Sequence, residues 1–152
     1  MQHVTIALTA VLVVSATVSI HALGTYSLTR HLSRFFTDAK GHFTRSKALL
    51  AMIGSATTLL LLHVIEIHLW ALTYLFIEPF PELMTFESAS YFSFVTFTTL
   101  GYGDITLAQH DWRILTGVEA LNGILLAGWS TAFLFAVVQR TWNHIGHDHS
   151  DA

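Results

Sequence analysis

The chain has no cysteine. Disulfides and thiolate metal sites are excluded outright, and no redox compartment can be read from thiol usage. Charge is scarce as well. Only 11% of the 152 residues are Asp, Glu, Lys or Arg, against about 25% in a soluble domain. The formal charge of −3 is small and scattered, and no basic patch with interleaved aromatics occurs. Nucleic acid is therefore not an expected partner. No Lys or Arg precedes Arg30. A secretory signal opens with a basic segment, so the apolar run at 4–24 reads as a retained membrane span. Proline occurs only at 79 and 81, where it breaks the chain after a long apolar stretch. No internal repeat is visible.

Apolar length is abundant. The chain is 53% hydrophobic with a mean hydropathy of +0.55. Three long apolar stretches cover about 4–25, 47–77 and 113–140. Each is long enough to cross roughly 30 Å of hydrocarbon at about 1.5 Å per residue. The second is overlong and is expected to tilt or project. Between the second and third lies an aromatic segment at 86–98. It is too short to span and fits a re-entrant half-helix. Thr85 is its expected N-cap, and Glu87 falls in its first turn. Asp111 is placed to cap the third span, with Trp112 at the membrane interface.

Charge sets the expected orientation. Arg30, Arg34, Lys40, Arg45 and Lys47 fall in the first connection, Arg140 follows the third span, and only Arg113 lies on the other side. Basic residues mark the cytoplasmic face. The N-terminus is then outside, the C-terminus is cytoplasmic, and the 78–112 segment is outside.

That outer segment carries Thr98-Thr99-Leu100-Gly101-Tyr102-Gly103-Asp104. The heptapeptide resembles the signature filter of potassium channels, whose usual form has Val where this chain has Leu100. The resemblance extends over 48–140. It implies an outer helix at 48–77, a pore helix at 86–98, a filter at 99–104 and an inner helix at 113–140. By this resemblance the carbonyls of Thr99, Leu100, Gly101 and Tyr102 and the Thr99 hydroxyl coordinate K+, with Gly103 completing the filter. Such carbonyl rings replace the hydration shell of the ion. Glycine suits a backbone that alternates through positive φ. Thr98, Asp104, Tyr91 and Phe92 match positions that support the filter. Gly123 matches the gating glycine of the inner helix, and Gly128 is a second possibility. Close helix packing is the alternative reading for either glycine. Thr131, Phe135 and Gln139 share one face at four-residue spacing. Phe135 there reads either as a hydrophobic constriction of an inner cavity or as a packing residue.

The chain departs from the familiar pattern in four ways. It has three spans rather than two or six. No span carries the arginine ladder of a voltage sensor. The tail at 141–152 is short and His-rich, leaving no room for a covalent ligand-binding domain. Leu100 replaces Val. Neither a gating stimulus nor a separate regulatory subunit has a signature in the chain.

Ionisable residues inside spans are functional candidates by default. His63 and Glu66 lie at i, i+3 on the second span, and Glu119 and Asn122 at i, i+3 on the third. Rise per residue places both pairs at filter depth. Glu66 is expected to bond across to Glu119 or Asn122 and to brace the filter from behind. That bond reads as purely structural or as a site whose protonation affects conduction. His68 is turned away from Glu66, so a metal site at His63, Glu66 and His68 is not the expected reading. His144, His147 and His149 form a tract that either binds metal or is a plain polar tail.

The expected architecture is an all-α membrane protein with 1–28 as an N-terminal transmembrane helix and 29–47 as a basic cytoplasmic connection. Three transmembrane helices, a re-entrant pore helix and a filter loop form each subunit of a homotetrameric pore. The expected activity is passive K+ conduction across the plasma membrane. No catalytic residue and no cofactor beyond K+ as the permeant ion is expected. The partners are other copies of the chain and the lipid bilayer. Two rivals remain at this stage. One is a membrane metal-binding protein or enzyme using His63 and Glu66. The other is a subunit of a coupled cation transporter.

Overall fold

The computed structural model describes residues 1–35, 45–77, 79–108 and 110–147, with the side chains of 35, 45, 46, 110 and 142–147 outside that description. Lys40 and the His144, His147 and His149 tract lie beyond the described side chains. Four helices carry the fold: α1 (Gln2–Phe35), α2 (Arg45–Ile77), α3 (Phe86–Phe97) and α4 (Arg113–His147). No strand occurs among the described residues. The segments Gln2–Arg34, Lys47–Ile77 and Arg113–Thr141 are long and apolar enough to cross a membrane.

The long helices overrun the expected spans. α1 continues past 25 to Phe35, so Arg30 and Arg34 sit on its last turns rather than in a connecting loop. The Arg30 guanidinium lies 5.9 Å over the Tyr26 ring, a cation–π contact that suits a helix end at the membrane surface. α1 presents one buried stripe: Ile6, Ala10, Val13, Thr17, His21, Thr25, Leu28 and Leu32. Its three- and four-residue spacing is the signature of a single helical face. That face packs against α2 and α4.

α2 ends at Ile77, and a 3-10 turn at Pro81–Leu83 reverses the chain. Proline at the first turn position loses no hydrogen bond there. Thr85 then caps α3 in an extended conformation, and its side chain accepts from the Ser88 backbone N–H. Ser88 returns the bond to the Thr85 N–H, closing a capping box. Asp111 does not stand alone as a cap, because it lies inside a 3-10 turn at His110–Trp112 that leads into α4. Short α3 is wedged between α2 and α4. Behind it an aromatic cluster holds the ends together: Tyr74 meets Phe92 edge-on at 5.3 Å, and Phe80 meets Trp112 at 5.8 Å.

Candidate functional site

The segment after α3 has the most unusual backbone in the chain. Thr99, Gly101 and Gly103 have φ of 59°, 57° and 78°, and Thr99 is the one non-glycine residue with positive φ among those described. The sign alternates along 99–103. Three N–H groups fold back onto α3: Thr99 bonds the Thr96 carbonyl at 2.9 Å, and Leu100 and Gly101 bond the Val95 carbonyl at 2.9 and 3.3 Å. The Val95 and Thr96 carbonyls in the last helical turn are thereby satisfied. Thr98 caps the helix, its hydroxyl donating to the Phe94 carbonyl at 2.6 Å. Residues 98–104 are exposed on the subunit apart from these bonds.

At the far end of the segment the Tyr91 hydroxyl donates to Asp104 Oδ2 at 2.7 Å. This bond holds the Asp104 carboxyl below its usual range and pushes the Tyr91 hydroxyl up, since the tyrosine proton stabilises the carboxylate and the carboxylate retains the proton. Phe92, the next residue of α3, is buried. Gly123 lies against the C-terminal end of α3, where a Cβ would overlap the carbonyl oxygen of Phe97. Close packing thus accounts for glycine at 123. Gly128 has open space on its face. Phe135 is exposed on the subunit, as are Thr131 and Gln139.

The expected bond from Glu66 to Glu119 or Asn122 does not form. α1 supplies the partners instead. Glu66 Oε1 pairs with His21 Nδ1 and Oε2 with His63 Nδ1, both at 2.9 Å. Asn122 Nδ2 donates to the Thr17 hydroxyl at 2.8 Å. Glu119 accepts from the Tyr74 hydroxyl at 2.8 Å. Glu66, Glu119 and His21 are wholly buried, so each needs a polar partner close by. His68 turns away, as expected. Its Nδ1 bonds the Val64 carbonyl, and its ring stacks on Phe86.

His21 and Thr17 were not legible as site residues, although a signal existed. His21 is the one ionisable side chain deep within the first span, with Thr17 and Thr25 one turn to either side. That stripe of polar groups on a buried face points to a partner inside the protein.

His21, His63 and Glu66 bring three potential metal-donor atoms within 4.8 Å of one another. Every donor is already engaged. The Nε2 atoms of His63 and His21 reach the Ser130 hydroxyl at 2.9 and 3.3 Å. A divalent metal ion would displace two short imidazole–carboxylate bonds and leave a net positive charge in a largely buried site. The donor set fits a hydrogen-bonded ring better than a metal centre.

No curated protein and no solved structure matches the chain. A family model described as an ion channel matches residues 60–140, just over half of its length. The matched region takes in most of α2, all of α3, the alternating segment and the apolar part of α4, and the chain belongs to the pore-loop cation channel family.

Proposed function

We propose that this channel conducts K+ selectively and passively, through a filter built from residues 99–103 of four identical chains. The observation that carries the reading is the backbone of that segment. Alternation of φ sign at 99, 101 and 103 reverses every second peptide relative to an extended strand, which favours carbonyls gathered on one side. The N–H groups of Thr99, Leu100 and Gly101 are tied to α3 on the opposite side. A row of carbonyls unburdened by their own N–H groups is what a dehydrating K+ requires. The negative end of the α3 dipole lies behind the same segment and favours a cation.

One such segment offers only one wall. A groove beside it, lined by Val95, Thr96, Thr99, Gly101, Thr116 and Gly117, is where a second copy would seat. Irregular backbone at membrane depth must be buried in protein or line water, and four copies around an axis meet both conditions. In this assembly the face bearing Thr131, Phe135 and Gln139 lines the inner cavity. The distribution of basic residues supports an orientation with that cavity toward the cytoplasm and the N-terminus outside. Flux from reconstituted vesicles tests the reading. Potassium should pass, sodium should pass far more slowly, and barium should block. Equal potassium and sodium flux would overturn selectivity, and a purified species smaller than a tetramer would overturn the assembly.

A further inference from the structure

Below the filter, at the C-terminal end of α3, four side chains from three helices close a ring. His21 comes from α1, His63 and Glu66 from α2, and Ser130 from α4. Each imidazole bonds Glu66 through Nδ1 and Ser130 through Nε2, giving four bonds of 2.9, 2.9, 2.9 and 3.3 Å. The ring sits at membrane depth, with three members at zero to nine per cent exposure and His63 only partly exposed.

We infer that this ring is a binding site for one exchangeable proton, and that the proton fastens α4 to α1. The argument is a count. Each of the four bonds needs one hydrogen. Ser130 supplies one, because a hydroxyl donates once. Three more must come from His21, His63 and Glu66 together. An ionised Glu66 beside two neutral imidazoles supplies only two. The closed ring therefore holds one proton more, either as an imidazolium facing a carboxylate or as a carboxylic acid facing two neutral rings. Both distributions are electrically neutral. If Ser130 accepted from both rings at once, the four bonds would take four protons from His21, His63 and Glu66 together, and the cluster would be positive. Full hydrogen bonding with Ser130 as donor and neutrality thus coincide at one proton count, and an unbalanced charge at this depth is costly.

Loss of the proton leaves two lone pairs facing each other in one bond and a net negative charge. The longest link, from Ser130 Oγ to His21 Nε2, is the one placed to open. It joins α1 to α4 between Gly128 and Phe135, in the stretch of inner helix that borders the cavity. His63 also packs against the Phe97 ring at 6.0 Å, one residue before the Thr98 cap. The ring therefore touches the inner helix and the base of the filter together. Other titratable groups stand apart. Glu119 pairs with Tyr74 three turns nearer the start of α4, His68 faces Phe86, and the ring neighbours on α3 and α4 are Phe97 and Trp129, neither of which titrates.

The sign follows from mass action. Low pH fills the site and holds α4 to α1; rising pH empties it and releases α4. Nitrogen and carbon NMR of the chain in lipid vesicles, with labelled histidine and glutamate, counts the protons directly and does not depend on conduction. Three protons shared by His21, His63 and Glu66 should fall to two in a single step across a pH series from about 5 to 9. Ser130→Ala removes the acceptor and donor that the third proton serves, so its step should move to lower pH. Spin labels on α1 and α4 should report a distance change at the wild-type step. Two protons throughout the range, a step unmoved by Ser130→Ala, labels indifferent to the step, or one zinc ion per chain surviving a chelator wash would each overturn the proposal.

Discussion

The carbonyl oxygen of Phe97 occupies the space that a Cβ at position 123 would need. Glycine there lets α4 touch the backbone at the end of α3, immediately before the 98–104 segment. Gly123→Ala must push α3 or α4 aside, and because the obstacle is backbone it cannot rotate away. A loss of about 1–3 kcal/mol is expected from such overpacking, together with impaired flux. Gly128→Ala meets nothing and should stabilise the helix by up to about 1 kcal/mol through lower backbone entropy. Unfolding midpoints of the two variants in detergent check the contrast. Equal effects would mean that the approach of Phe97 to Gly123 does not govern the site.

That contact separates what was legible from what was not. Hydropathy marks the three spans because burial in lipid demands long apolar runs. Thr85 marks the start of α3 because a cap is a local hydrogen-bonding requirement. The 98–104 segment stands out as a short motif, and positive φ at 99, 101 and 103 sets its backbone apart. The partners of Glu66 were misassigned because they depend on how α1 seats against α2 and α4. His21 is 45 residues from Glu66, and Thr17 is 105 residues from Asn122. No local periodicity carries that alignment. Helix boundaries at Phe35 and His147 were also missed, since helices continue into water beyond the apolar stretch that reveals them.

Tyr91 and Asp104 tie the far end of the 98–104 segment to α3. The tyrosine bond holds Asp104 below the ordinary aspartate value and Tyr91 above the ordinary tyrosine value. Their contribution is complete between these values. It is lost as pH falls through the lowered Asp104 value, and again as pH rises through the raised Tyr91 value. Conduction that depends on an ionised Asp104 should fail in acid. Tyr91→Phe frees the carboxylate, returns Asp104 toward its ordinary value and shifts the acid limb to higher pH. A pH series of vesicle flux for both proteins measures the shift, and coincident acid limbs would contradict the role assigned to this bond.

Tyr74 and Glu119 present a different asymmetry. Both are wholly buried, and the tyrosine hydroxyl donates to Glu119 Oε2 at 2.8 Å. Removing only the donor strands a carboxyl oxygen away from water. Tyr74→Phe should therefore destabilise the chain by about 1–3 kcal/mol. Adding Glu119→Leu removes the stranded group and should recover much of that loss, because an apolar pair of similar size needs no hydrogen bond. Denaturant unfolding of both single variants and the double variant forms the necessary cycle. Additive losses would show that the two side chains do not act as a pair.

Thr99 carries the last prediction, because a β-branched residue at φ 59° is strained. A side chain in left-handed backbone costs roughly 1–2 kcal/mol. The bonds from Thr99, Leu100 and Gly101 to α3 hold the segment in place. Thr99→Gly relieves the strain but frees the unfolded chain, a cost of about 0.5–1 kcal/mol. The net change in stability should lie between zero and a gain of about 1.5 kcal/mol. Selectivity should move the other way, since the proposed ion site loses a hydroxyl ligand and the branched side chain that limits backbone motion. Stability with reduced preference for potassium over sodium would place the function of Thr99 in the site rather than in folding. A variant that unfolds, or that keeps full selectivity, would reverse that assignment.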